Sequence, residues 1–249
     1  MSLWRLEWLR LVRTPRALAL GAVFTFFGLL EPALTRYQGQ IFSHLGNGVQ
    51  ISFPPATPAA GIRSYAGELG GVGLVVVVVL AAGALSFDAR PGLATFLRTR
   101  VGGMWRLVTP RFAVSAAAAA AAYLLGTLAA WYETELLIGP LPVAGMLAGI
   151  LCGAVYLAFA VAVTALAASI VRTTLATVGV ALVVLLLLPV AGALRPLDRW
   201  LPTTLASAPV QLLERTHRLS WFLPTIGATV AASAAVLALA ALRLRTREI

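Results

Sequence analysis

The sequence predicts an all-α integral membrane protein with six transmembrane helices, from its hydrophobicity, the length of its apolar runs and their lack of alternation. Hydrophobic residues make up 60% of the 249 residues, and the mean hydropathy of +0.91 is well above that of soluble domains. A bilayer core requires about 18 or more apolar residues. Barrel strands would alternate polar and apolar positions, so helices are predicted. The runs of sufficient length are 17–34, 70–87, 112–131, 141–168, 174–194 and 221–242.

The segment before the first run, residues 1–16, combines arginines with two tryptophans four residues apart and ends near Pro15. Its apolar side is predicted to carry Trp4, Trp8, Leu11 and Val12, and another side Glu7 and Arg10. This pattern predicts an amphipathic helix lying in the cytoplasmic interface. The alternative is a basic flank that only orients the first span. The first run also resembles a signal peptide, but no A-x-A-like cleavage site follows before Thr35.

The distribution of arginine predicts the topology. All 19 basic residues are arginine, and a cytoplasmic N-terminus would place 13 of them inside and leave six outside. With an even number of spans, both termini are then cytoplasmic. The net charge of +10 is explained by topology and by attraction to anionic lipid, and it leaves no soluble basic face for nucleic acid. The inside set is Arg5, Arg10, Arg13, Arg16, Arg90, Arg98, Arg100, Arg106, Arg111, Arg172, Arg243, Arg245 and Arg247.

Several kinds of chemistry are excluded by composition. Without lysine the chain has neither a phosphate-binding P-loop nor a Schiff-base nucleophile. Cys152 lies inside the fourth run, where a small apolar role is expected. His44 and His217 lack companions at metal-ligand spacing. The sequence therefore predicts no catalytic residue, no metal site and no cofactor in this chain.

The connections between the runs differ in character. Residues 35–69 form a long external segment whose prolines predict an extended surface conformation rather than regular helix. Residues 195–220 alternate apolar groups with prolines, which predicts either one or two short helices dipping into the outer leaflet or an ordinary solvent loop. The stretch "SIVRTTL" has Arg172 as its only charge and predicts a tight cytoplasmic hairpin between the fourth and fifth spans. The prolines near the first of these connections are Pro32, Pro54, Pro55 and Pro58.

Within the spans, two features are candidates for function or packing. Gly145, Gly149 and Gly153 recur every four residues, which allows another helix to approach closely, either in the same chain or in a second subunit. Glu31 lies near the external end of the first span, and an ionisable group at that depth is a candidate for substrate binding or gating. Its closeness to water leaves a purely structural role open.

The first cytoplasmic loop, residues 88–111, is a basic segment with a hydrophobic run on each side. It carries five arginines between two spans, and the stretches "LATFL" and "MWRLV" are interleaved with them. The positive-inside rule explains the arginines but not the apolar stretches. A loop that only sets the topology would therefore leave the apolar stretches without a role.

This layout resembles the membrane (permease) subunit of type 2 ATP-binding-cassette (ABC) exporters, which include multidrug, antibiotic and sodium efflux systems. The most specific part is the loop, where the family has a small apolar span end, an acidic residue, a glycine four positions later, a leucine-rich short helix and a basic residue starting the third span. Here these are "AAGALSF", Asp88, Gly92, "LATFL" and Arg111. The chain departs from the family pattern at Leu93, near Val101 and at Pro110 and Arg111.

The resemblance implies a single transmembrane permease domain over residues 1–249, paired with a second six-span permease that is identical or related. Two copies of a cytosolic ABC ATPase would bind ATP and Mg²⁺, so that this chain is a transport subunit and not an enzyme. A short helix of the loop would enter a cleft on the ATPase, with Phe96 and Leu97 inside and Arg98 and Arg106 at an acidic rim. The implied coupling residues are Asp88, Arg90, Gly92, Phe96, Leu97, Arg98 and Arg106.

The function expected from this resemblance is ATP-driven export of a hydrophobic or amphipathic substrate, such as a drug, antibiotic or lipid-like molecule, across the bacterial cytoplasmic membrane. One alternative is a secondary transporter or channel driven by an ion gradient, which would need ionisable groups within the spans. Another alternative is a non-transporting membrane assembly subunit that works through its external loops.

Overall fold

The computed structural model describes residues 3–45, 55–86, 104–192 and 199–246, which are helical almost throughout and contain no strand. Six of the helical segments are long and apolar enough to cross a membrane, which confirms the all-α prediction with six spans. The helices of the described residues are α1 (Leu3–Arg13), α2 (Pro15–Leu45), α3 (Pro58–Gly67), α4 (Val72–Leu85), α5 (Met104–Leu137), α6 (Val143–Ile170), α7 (Thr174–Gly192), α8 (Thr203–Leu213) and α9 (Leu219–Thr246).

Helix α6 forms the centre of the bundle. In the most apolar part of α6, 61% of the residues are buried, against 17% in α7 and 22% in both α2 and α9. It packs against α4, α5, α7, α8 and α9. Its buried face is rich in alanine, including Ala160, Ala162 and Ala165. Small side chains let neighbouring helices approach α6 closely on several sides, which suits a central position.

The second span is broken into two helices, which corrects the expectation of an extended segment over 35–69. Helix α2 continues to Leu45, with Pro32 inside it, and α3 begins at Pro58. The side-chain oxygen of Thr57 accepts a hydrogen bond from the backbone N–H of Ala60 at 3.2 Å and caps α3. Proline at the first position of a helix loses no hydrogen bond, because that N–H has no partner within the helix. Pro58 therefore starts a helix rather than preventing one.

Helix α4 alone is too short to cross a membrane. Its 14 residues correspond to about 21 Å of helix, whereas the hydrocarbon core of a bilayer is about 30 Å thick. The crossing is completed by α3, so that the whole span runs over Pro58–Leu85 with a turn at residues 68–71. The turn therefore lies within the length of the span rather than beyond its end.

The segment before the last span, which is predicted to be external, contains a single short helix among its described residues. Helix α8 buries Leu205, Ala208 and Pro209 and packs against α6 and α3. An ion pair between Arg63 and Glu214 joins α3 to the end of α8. The prediction of a short helix in 195–220 is confirmed, and the alternative of an ordinary solvent loop is wrong for Thr203–Leu213.

Two further topological predictions concern the end of the bundle opposite α8. Only residues 171–173 connect α6 to α7, which confirms the tight hairpin at Arg172. Leu244, near the end of α9, packs against Leu107 and Val108 at the start of α5, and α1 also contacts α5. The two ends of the chain thus lie at one end of the bundle, as an even number of spans requires. The cytoplasmic location of that end stays a prediction from the arginine distribution.

Candidate functional site

A buried ion pair at the end of the bundle that carries both termini joins three helices. The Nε of Arg111, in α5, donates a hydrogen bond to Oε1 of Glu7, in α1, at 3.0 Å. Its Nη1 donates to the backbone oxygen of Ala84, near the end of α4, at 3.3 Å. Glu7 is 5% exposed and Arg111 is 7% exposed. Because both charges are removed from water, each is stabilised by the other, and loss of either would take from the remaining one its hydrogen-bonded charge partner.

The helical pattern of α1 explains why Glu7 faces the protein. Trp4 and Trp8 lie four residues apart on a half-exposed face, whereas Glu7 is the buried residue of this helix. Arg10 is one turn further along and its Nη1 lies 3.8 Å from Oε2 of Glu7. The helix expected over residues 1–16 is confirmed as Leu3–Arg13. Its polar side is turned toward α5, a feature that sequence reasoning missed.

The same contacts fix the two helices that flank the loop of residues 88–111, which is predicted to be cytoplasmic. Leu85 is fully buried at the end of α4, and the hydroxyl of Ser86 donates a hydrogen bond to that of Thr177 in α7 at 3.4 Å. On the other side of the loop, Arg111 links α5 to α4 and α1. A force on the loop would therefore be transmitted to four helices: α1, α4, α5 and α7.

Most of the coupling residues implied by the resemblance lie outside the described residues. Arg106 is described and lies in the first turn of α5, where its side chain is exposed. Its exposure agrees with the predicted role of meeting a partner at a rim but does not test it. The residues outside the described part are Asp88, Arg90, Gly92, Phe96, Leu97 and Arg98.

Toward the opposite end of the bundle, Glu31 of α2 faces a second carboxylate, that of Glu68. The hydroxyls of Thr35 in α2 and Ser64 in α3 are 3.0 Å apart, and the two helices run in opposite directions. Glu31 lies one turn before Thr35 and Glu68 one turn after Ser64, so both lie on the same side of this contact. Their charges are close enough to interact. Glu68 also accepts a hydrogen bond from the backbone N–H of Val72 at 3.2 Å.

The depth of Glu31 follows from the length of α2. The guanidinium of Arg16 packs against Gly83 of α4, near the level of the ion pair. Glu31 is fifteen residues further along the same helix, which corresponds to about 22 Å. A hydrocarbon core is about 30 Å thick. Glu31 therefore lies within the apolar length of its span, and two facing carboxylates there favour a cation or a proton over an anion.

The three glycines at four-residue spacing all serve contacts within this chain. A Cβ atom added to Gly149 would lie 2.9 Å from Pro209 of α8, and one on Gly145 would lie 3.3 Å from Leu213. A Cβ on Gly153 would lie 2.3 Å from the ring of Tyr123 in α5. Of the two interpretations left open by the sequence, packing inside the subunit accounts for these glycines.

A contact between two backbones, at Gly28 of α2 and Gly126 of α5, was not predicted. A Cβ on Gly28 would lie 2.3 Å from the carbonyl oxygen of Gly126, and one on Gly126 would lie 2.5 Å from that of Phe24. The ring of Tyr65 from α3 stacks on Tyr123 beside this crossing, with centroids 6.2 Å apart. Glycines here bring the backbones of α2 and α5 together. The two helices therefore form one packed unit beside the aromatic pair.

The remaining reactive side chains do not form a site. Within the described ranges, no three His, Cys, Asp or Glu residues come together as a metal site. Cys152 is fully buried in α6. The ring of His217 packs edge-on against Trp221, with centroids 4.0 Å apart, and His44 lies outside the described side chains. Comparison with known proteins leaves the family open, since no family model and no curated protein matches the chain.

Proposed function

We propose that this chain is the permease subunit of an ABC exporter that moves a hydrophobic or amphipathic substrate out across the bacterial cytoplasmic membrane. It would work with a second six-span permease and with two copies of a cytosolic ATPase that binds ATP and Mg²⁺. Six apolar helices support a membrane protein. The resemblance in the first cytoplasmic loop supports this particular class.

The observation that carries the proposal is the anchoring of that loop. An ATPase can drive a permease only if movement of the bound loop is passed on to the spans. Arg111 links the two helices that flank the loop to each other through Ala84, and to α1 through Glu7. Ser86 adds a link to α7. A loop held in this way would move the helix ends as a group when the ATPase closes.

The exposure of the spans supports a second permease. Helix α7 has the least buried apolar segment, and the corresponding segments of α2 and α9 are also mostly exposed. Leu175 is 83% exposed, and several other large apolar residues of α7 are exposed as well. Lipid can cover such a surface, and so can an equivalent subunit. A partner there would enclose a substrate path between two bundles.

The coupling role of the loop predicts that Phe96→Ser combined with Leu97→Ser abolishes ATP-driven transport. Buried apolar side chains dominate the binding energy of a docked helix, so their loss should uncouple the ATPase from the permease. The spans on either side are unchanged, so insertion should be normal. Co-purification with the ATPase and substrate-stimulated ATP hydrolysis would measure the effect. The permease purified alone is expected to hydrolyse no ATP.

Leu242→Ser is the matched control for that experiment. Leu242 is exposed near the end of α9, at the same end of the bundle but outside the loop. It should leave assembly and hydrolysis unchanged. If the Phe96/Leu97 variant assembles and transports normally, the loop is only a topological signal. If the permease alone hydrolyses ATP, the subunit assignment is wrong.

A second candidate function, transport driven by an ion gradient, is favoured by the facing pair of Glu31 and Glu68. Such a transporter needs ionisable groups within its spans, and these two carboxylates lie at a suitable depth. In an ATP-driven exporter the same pair would attract a cationic substrate. The two functions therefore differ in their energy source rather than in the residues of this pair.

Glu31→Gln combined with Glu68→Gln is expected to weaken export of a cationic amphiphile by about thirtyfold, because the two lost charges contribute on the order of 1 kcal/mol each. Export of a neutral amphiphile should change little. Transport into inverted vesicles, with ATP and with a proton ionophore, measures both. Glu133→Gln in α5 is the control. Export that requires the proton gradient rather than ATP would instead establish the second function.

A further inference from the structure

The ion pair of Glu7 and Arg111 lies beside a cleft between α1, α2, α4 and α5. The cleft is lined by four charged residues from α1, α2 and α5 and by apolar residues that come mostly from the three spans. Leu20 of α2, Val77 of α4 and Val114 of α5 are buried in its wall. The cleft therefore has the amphipathic character of the membrane boundary at which it lies.

Positive charge is in excess around this cleft. Of its described lining residues, Arg10, Arg16 and Arg111 are basic and only Glu7 is acidic, so two positive charges remain in excess. Arg111 and Glu7 are buried against each other, whereas Arg10 and Arg16 are half-exposed. The guanidinium of Arg16 is held against Gly83 of α4. Two arginines from different helices thus flank one opening, with an apolar wall beside them.

We propose that this cleft is a binding site for an anionic phospholipid of the leaflet at the end that carries both termini. Its phosphate would lie between Arg10 and Arg16, and an acyl chain would lie along Leu20, Leu80 and Val114. Guanidinium groups bind phosphate through charge-assisted hydrogen bonds, and basic pockets between spans are suited to anionic headgroups. A soluble anion would gain the contacts of the phosphate with the arginines but not the contacts of an acyl chain with the apolar residues.

The size of the cleft limits how the lipid binds. Its enclosed part is about 40 Å³, which is room for a few water-sized groups. A whole acyl chain does not fit inside, so only the first part of the chain would enter the cleft, beside Leu20, Leu80 and Val114, and the rest would lie outside it. Because α1 contributes Arg10 and α2 contributes Arg16, the lipid would bridge the interfacial helix and the first span. The site depends on the bundle alone, and not on the partner that drives transport.

The proposal is tested on the full chain in detergent by native mass spectrometry, with phosphatidylglycerol or phosphatidylcholine added. Phosphatidylglycerol should remain bound at a defined stoichiometry and raise the thermal unfolding temperature, whereas phosphatidylcholine should do neither. Glycerol phosphate, which has the charge but no acyl chain, should have no effect at the same concentration. Equal binding of both lipids, or an equal effect of glycerol phosphate, would show that no anionic lipid site exists here.

Arg10→Gln combined with Arg16→Gln should weaken phosphatidylglycerol binding by about tenfold to thirtyfold, since each basic residue contributes on the order of 1 kcal/mol. The matched control is Arg13→Gln combined with Arg245→Gln, which removes two exposed charges at the same end but outside the cleft. The control should bind as the unchanged protein does. Equal loss in both variants would mean general electrostatic attraction and would overturn the proposal.

A third variant keeps every charge and fills the cleft instead. Ala118→Leu in α5 adds bulk to the apolar wall and should displace the lipid, with binding weakened at least severalfold and no change in helix content. This variant decides the question if the double arginine variant does not fold. Undiminished phosphatidylglycerol binding by a folded Ala118→Leu protein would place the lipid elsewhere.

Discussion

Arg111→Gln is expected to destabilise the protein by about 3 kcal/mol, because the buried Glu7 would lose the guanidinium that donates a hydrogen bond to it and would keep only the ion pair with Arg10 at 3.8 Å. The change also removes the hydrogen bond to the backbone oxygen of Ala84. Helix α1 should separate from α5, and the helices that flank the first cytoplasmic loop should lose their link. Denaturation of the purified protein in detergent, followed by circular dichroism, measures the stability. Protease sensitivity near α1 reports the separation.

The control is Arg106→Gln, which removes an exposed charge from the same helix and should change the stability by less than about 0.5 kcal/mol. Combining Glu7→Gln with Arg111→Gln should recover part of the loss, since no unpaired buried charge remains. If Arg111→Gln behaves like Arg106→Gln, the ion pair does not hold α1 in place. The coupling argument based on it would then fail as well.

Gly126→Ala is expected to destabilise the bundle by about 1–3 kcal/mol, toward the upper end of this range, although alanine is the better helix former. The added methyl group would lie 2.5 Å from the carbonyl oxygen of Phe24 and 2.4 Å from the hydroxyl oxygen of Tyr65. A backbone oxygen cannot move aside as a side chain can, so α2 and α5 must separate. Thermal unfolding in detergent measures the effect.

Gly179→Ala provides the comparison, because Gly179 lies in α7 and a Cβ there would meet nothing within 4 Å. The same chemical change should be neutral or slightly stabilising at that position. If both alanine variants unfold at the same temperature, the crossing of α2 and α5 is looser than these distances imply.

The six spans were predictable because the length of an apolar run is a local property of the sequence. Their ends were not, since a helix continues for as long as its backbone is hydrogen-bonded, whether or not its side chains are apolar. Helix α2 therefore extends to Leu45, beyond the predicted end at residue 34, and α5 begins at Met104 rather than at 112. The length of an apolar run therefore predicts which residues cross the membrane, but not where the helix begins and ends.

The wrong prediction of an extended conformation for residues 35–69 could have been avoided from the sequence. Proline was weighed as a helix breaker, yet Thr57 followed by Pro58 is the pattern of a capped helix start. With that pattern recognised, Glu68 would have been placed at the end of a helix within the second span. Its position opposite Glu31 still depends on how α2 and α3 pack, which only the contact between Thr35 and Ser64 shows.

Contacts between distant parts of the chain were the least predictable. The four-residue spacing of Gly145, Gly149 and Gly153 is visible in one helix, so their packing role was recognised. Gly28 and Gly126 lie in different spans and share no periodicity, although their contact joins two backbones directly. Arg111 was noted only as the basic residue at the start of the third span, because nothing near it in the sequence indicates that Glu7 is its partner.

The distance along the chain between Glu7 and Arg111 also orders the events of biosynthesis. The two residues are 104 positions apart, and translation proceeds at about 5–20 residues per second. The ribosome therefore adds Arg111 about 5–20 s after Glu7. Throughout that interval Arg111 has not yet been synthesised, so the carboxylate of Glu7 cannot form its ion pair with α5. The ion pair can therefore form only after the third span has been synthesised, so α1 is attached late although it is made first.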